Sequence, residues 1–199
     1  MITQRTIEEI KEIFTPYSDG VRIILLIHRS KEGGKNNTHK RHLKKVTTRN
    51  SQEFFDTIQE FQEICDNDPR PLRIYATVNK RSMDKAIRHF KENQLMNDYA
   101  SEDIRNEFYL DIKNRWISCL MQANSRMETN FIIDLDDCDE RSFHSIYNII
   151  KKHTKIQTYY TTKNGYHIIT DAFDYPKLKD ERIQVHVDNL MLIDYPTVV

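Results

Sequence analysis

Apolar residues recur at helical spacing in some stretches of the chain and alternate with polar ones in others, and these two periods divide it into elements. Thr6 to Phe14 predicts a short amphipathic helix that stops before Pro16, and the aliphatic run within Val21 to His28 predicts a buried strand. Ser51 to Cys65 predicts a helix with Ser51 as its N-cap, because Phe54, Phe55, Ile58, Phe61 and Ile64 recur at helical spacing, and Asp66 to Pro71 breaks it. Leu72 to Val78 alternates as a strand, Met83 to Asn93 reads as a helix, and Ile104 to Met121 as one long helix around Trp116. Residues 130 to 136 then read as a strand, 141 to 152 as a helix capped by Asp139, 156 to 170 as a hairpin, and 190 to 195 as a final strand that Pro196 limits. Strands and helices interleave without repeats or low-complexity linkers, which predicts an α+β fold.

Within that pattern the stretch from Asn130 to Asp137 stands apart, because Asp134 and Asp136 follow Phe131, Ile132 and Ile133 directly. Residues i and i+2 of a strand point to one face. The two carboxylates therefore project side by side from a buried strand, where unpaired anions need a cation between them. An acidic turn capping the next helix accounts for Asp137 and Asp139 but leaves Asp134 unexplained.

Downstream, Asn164-Gly165 lies between two runs of β-branched and aromatic residues, the pattern of a tight hairpin whose turn takes positive φ at both central positions. That register pairs Lys163 with Tyr166 and sets Thr162 opposite His167, so that hydroxyl and imidazole share a face. A histidine in a strand is most often an ordinary cross-strand partner. Here it stands beside a Thr and a Lys, one helix after the paired aspartates. A third apolar run then offers Asp188 and Asp194.

In order, the motifs are Phe131-Ile-Ile-Asp-Leu-Asp136, Thr162-Lys-Asn-Gly-Tyr-His167 and Leu190-Met-Leu-Ile-Asp194. Together they resemble the catalytic core of the archaeo-eukaryotic primase superfamily, the primase-polymerases. His167 lies 31 residues after Asp136 and 27 before Asp194, separations similar to those of compact plasmid and phage members, whereas Asp188 fits less well. The resemblance covers about residues 125 to 196; the family more often has Ser at the position of Thr162.

It implies an RRM-like antiparallel sheet over residues 125–199, packed against an N-terminal α/β lobe over 1–124, the two forming one catalytic domain. Asp134, Asp136 and Asp194 would then lie on neighbouring strands and hold two Mg²⁺ or Mn²⁺ ions, and Thr162, Lys163 and His167 would contact a nucleoside triphosphate. Arg73 or Arg81 looks similar to the arginine that an N-terminal strand of these enzymes carries toward the cleft. The implied activity is template-directed nucleotidyl transfer on single-stranded DNA, in DNA replication, possessing or lacking a separate helicase or accessory primase domain as partner.

Composition bounds these expectations. Thirty basic and thirty acidic side chains balance, so attraction to nucleic acid must come from local patches. One such patch is Arg29 to Arg49, with eight Lys or Arg against the single acid Glu32. It is either a solvated hairpin tip or a template contact through Lys40, Arg41, Lys44 and Lys45, with Arg81 as a further contact. Four glycines leave no phosphate-cradling loop of the Walker type, and three scattered cysteines suit neither a zinc knuckle nor a disulfide scaffold. These features, with no signal-peptide pattern or membrane span, predict a reduced, cytoplasmic protein. Two rivals use the same residues: a metal-dependent nuclease, and a noncatalytic nucleic-acid-binding sheet, which would carry aromatics where this chain has aspartates.

Overall fold

The computed structural model describes residues 5–14, 16–28, 41–98, 101–178 and 182–194. Two four-stranded antiparallel sheets and six α-helices make up the described chain, a mixed α+β fold. None of these helices is long and apolar enough to cross a membrane.

The first sheet is built around β1 (Arg22–His28), which pairs with β2 (Arg41–Thr48) on one side and β3 (Leu72–Thr77) on the other, with β8 (Leu190–Asp194) beyond β3. β1 is apolar on both faces because both are covered. Ile24 and Leu26 pack with α1 (Ile7–Ile13) and α2 (Ser51–Asn67), while Ile23, Leu25 and Ile27 pack with α3 (Met83–Asp98) and α5 (Ile112–Met121). Asn50, one residue before the expected Ser51, caps α2 by accepting the Glu53 N–H at 2.9 Å.

The expected long helix around Trp116 is two helices, α4 (Glu102–Leu110) and α5, separated at Asp111. Phe108 and Trp116 both contact the ring of Phe90, with centroids 5.9 and 5.8 Å away. Eight residues of straight helix would hold those rings roughly 12 Å apart along the axis. The corner brings both to one partner, and leaves Leu110 exposed at its apex.

The second sheet has the order β5 (Ile156–Thr161), β6 (Gly165–Asp171), β4 (Asn130–Asp136) and β7 (Gln184–Val187). Alternation along β4 separates its faces. Ile133 and Leu135 meet Phe143, Ile146 and Ile150 of α6 (Glu140–Ile150), whereas Ile132 joins the core under the first sheet together with Tyr160 and Ile169. The final strand differs from expectation: β8 does not extend the sheet that carries Asp134 but crosses back to pair with β3. The fourth strand of the second sheet is β7, which lies in the stretch read only as a connection.

Candidate active site

The two sheets leave a cleft of about 410 Å³ between them, a volume in the range of small-ligand sites. Asp134 and Asp136 enter it from one face of β4, as strand alternation requires, with Thr162, Lys163 and Asn164 at one rim and His167 beside them. The first sheet contributes Arg73 and Tyr75 from β3 and Leu190 and Leu192 from β8. Asp134 is half-buried and Asp136 exposed. Asp137 follows in the left-handed region at φ 50°, a conformation that non-glycine residues adopt sparingly, and turns the chain toward the Asp139 cap of α6.

The hairpin next to this pair has a different register from the expected one. Tyr160 pairs with His167 and Thr161 with Tyr166, and the Thr162 N–H donates to the Gly165 carbonyl at 2.8 Å. Neither Asn164 nor Gly165 has positive φ, so the chain reverses through the wider loop Thr162-Lys-Asn rather than a two-residue turn. Gly165 serves another purpose. It lies against β4 opposite Asp136, where a Cβ would stand 1.9 Å from the Leu135 carbonyl oxygen. The glycine permits close backbone approach, and Thr162 sits at the rim instead of opposite His167.

The shift in register places Tyr160 beside the imidazole. Its hydroxyl lies 2.9 Å from His167 Nδ1, and His167 Nε2 lies 3.1 Å from Asp134 Oδ1. That oxygen is buried and has no well-directed hydrogen bond despite the short ion-pair contact, so it keeps capacity for a further ligand. Burial opposes ionisation of Asp134, but the imidazoles of His167 and His186 outweigh it and hold the carboxyl below its ordinary range. Burial pushes the Tyr160 phenol above its ordinary value, against the opposing charge of Arg5.

Asp194 is not in the cleft. β3 and β8 pair as Tyr75 with Leu192 and then Ile74 with Asp194, which makes Ile193 an extra residue on β8. The bulge turns Asp194 onto the face of buried Ile74 and away from Tyr75 and Leu192. There its carboxylate accepts the Arg5 backbone N–H at 3.3 Å and Gln62 Nε2 at 2.9 Å. Asp188, the other candidate, takes a forked pair from Arg81 at 2.7 and 2.9 Å and a third bond from Asn79. Arg81 is 1% exposed, so its guanidinium is held inside the fold and presents no surface to a nucleic acid.

Of the basic segment, Lys44 pairs with Glu60 at 2.7 Å and Lys45 is partly exposed on β2 opposite Leu25. Lys40 lies outside the described residues, and of Arg41 only the backbone in β2 is described. Sequence reasoning missed three contributors. His186, two positions before Asp188 in a short strand, faces the cleft opposite Ile132. Tyr160 was hidden by the turn register, and Arg5 lies in a stretch with no apolar period to mark it.

A divalent cation fits part of this arrangement. Asp134 and Asp136 supply two carboxylates on one face, one with an under-used buried oxygen, although among the described residues no three carboxylate, imidazole or thiolate side chains converge as a ready-made site. Mg²⁺ and Mn²⁺ accept such an incomplete set when ligand phosphates and water complete the shell. The three-carboxylate, two-ion arrangement does not fit, since Asp194 faces the opposite side of β8. The chain matches no family model, no curated protein and no solved structure.

Proposed function

We propose that this protein is a metal-dependent nucleotidyltransferase of the primase-polymerase kind, acting on nucleoside triphosphates at the cleft between its sheets. The observation that carries the reading is the paired Asp134 and Asp136 at a strand end, in the same cleft as Arg73, Lys163 and Thr162. Anionic and cationic side chains opposed across so small a space suit a phosphate chain with its counter-ion better than an uncharged ligand. The order β5-β6-β4-β7, with α6 as the crossover from β4 to β5, is that of an RRM-like sheet and supports the same reading.

Asp134 and Asp136 hold the cation, and His167 braces Asp134 from the side. The ion, when bound, bridges phosphate oxygens and offsets the charge that develops on them. Lys163 and Arg73 offer fixed positive charge to the remaining phosphate oxygens, and the Thr162 hydroxyl offers a donor at the rim. Leu190, Leu192 and Tyr75 present an apolar wall for the uncharged part of a nucleotide.

The test is synthesis on a single-stranded template with Mn²⁺ and labelled nucleotides, with and without primer. Product is expected from the parent protein and none from Asp134→Ala or Asp136→Ala. Unchanged synthesis in either variant removes the reading. Template shortened without any requirement for triphosphate replaces it with a nuclease.

A further inference from the structure

We propose that Arg5, Tyr160 and Asp194 form a positioning clasp behind the cleft that fixes the ring orientation and tautomer of His167. The inference deepens the reading above, from which it takes only the identity of the site. Arg5 is 9% exposed, and its guanidinium spans the two sheets. Nη1 donates to the carbonyls of Leu192 and Ile193 on β8 at 3.0 and 2.8 Å, and Nη2 donates to that of Thr161 on β5. The same group lies over the Tyr160 ring, 4.5 Å from its centroid.

The main chain of Arg5 is held as firmly. Its N–H donates to Asp194 Oδ1 at 3.3 Å, and Gln62 Nε2 lies 2.9 Å from both the Arg5 carbonyl and Asp194 Oδ2. A carboxylate expected to bind metal instead fixes the segment that covers Tyr160. Asp194 and Arg5 therefore act on the site through another residue.

The consequence follows from the donors and acceptors of the imidazole. A neutral ring has one N–H and one bare nitrogen. Ionised Asp134 can only accept, so His167 must present its N–H there, from Nε2 at 3.1 Å. Nδ1 is then the bare nitrogen, and the Tyr160 hydroxyl at 2.9 Å must donate to it. Burial of the phenol keeps that proton in place. Both neighbours thus demand one tautomer, and the cation above Tyr160 holds the hydroxyl where it can enforce it.

The experiment is nitrogen NMR of protein labelled at the histidine rings, at a pH where imidazole is neutral, with the whole chain. His167 is expected as the Nε2–H tautomer. Tyr160→Phe, which removes one oxygen and keeps the ring, should lower the tautomer ratio about five- to tenfold, the scale of one buried hydrogen bond, with circular dichroism and melting close to the parent. Arg5→Ala should move the ratio in the same direction and Arg5→Lys by less. An unchanged ratio in Tyr160→Phe, or in a folded Arg5→Ala, overturns the clasp. If Arg5→Ala does not fold, Tyr160→Phe decides on its own. Absence of nucleotide synthesis by the parent protein would overturn the functional reading and leave this measurement intact, so the two fail separately.

Discussion

The end of β4 and the corner between β7 and β8 carry the same signature, aspartates next to an apolar strand, yet the fold uses them oppositely. Asp134 and Asp136 face a cleft, with one buried oxygen short of a partner. Asp188 and Asp194 are consumed by Arg81 and by the Arg5 backbone with Gln62. An aspartate after an apolar run becomes a binding group or a brace according to which donors the tertiary structure brings to it. Register decides that: β4 runs without irregularity past His167, whereas β8 bulges at Ile193 and turns its carboxylate inward.

The contrast is broken most directly at Asp188. Asp188→Ala strands the Arg81 guanidinium in the interior and should cost on the order of 3–5 kcal/mol in chemical denaturation; a loss below about 1 kcal/mol would place Asp188 with the cleft pair. Gly165→Ala is expected to cost about 1–3 kcal/mol, because the new Cβ meets Leu135 backbone and must push β6 from β4. Melting temperature and His167 chemical shifts should both move, and an unperturbed His167 would deny that this approach sets the site.

By comparison, Asp134→Ala should stay within about 1 kcal/mol of the parent in stability, the scale of one ordinary polar contact, since the group is held for a ligand more than for the fold. Its pH dependence sharpens this. Because the folded carboxyl titrates below its unfolded value of about 3.9, its contribution is complete above that pH and disappears as pH falls through the folded value. Stability curves of the parent and of Asp134→Asn should run parallel above about pH 4 and converge only below it; convergence near neutrality would mean that His167, not Asp134, carries the titration. The smallest effect is reserved for the surface pair. Lys44→Ala should cost at most about 1 kcal/mol and lose that cost in high salt, as exposed ion pairs do.

Local periodicity carried much of the fold. β4 spans 130–136 as the alternation predicts, Asp139 caps α6, and β1 is buried through its aliphatic run. Two things escaped it. The break at Asp111 exists so that Phe108 and Trp116 can share Phe90, a tertiary demand with no local mark. The assignment of β8 to the first sheet depends on pairing with a strand more than a hundred residues earlier, which no window of sequence contains. At the site, the two aspartates of β4 were legible because side-chain alternation is local. The neighbour of His167 was not, because Asn164-Gly165 suggests a tight turn that the close approach to Leu135 overrides.

The return of β8 to β3 also bears on how the chain matures. During synthesis β3 emerges with one edge unpaired, and the strand that will cover it follows only after the whole second sheet has been made. An open edge is a template for pairing with other chains, and a contact of such sequence separation closes slowly. Nascent chains halted before Leu190 should therefore depend on chaperones and associate with one another, and the clasp of Arg5 with Asp194 can close only once β8 has been translated.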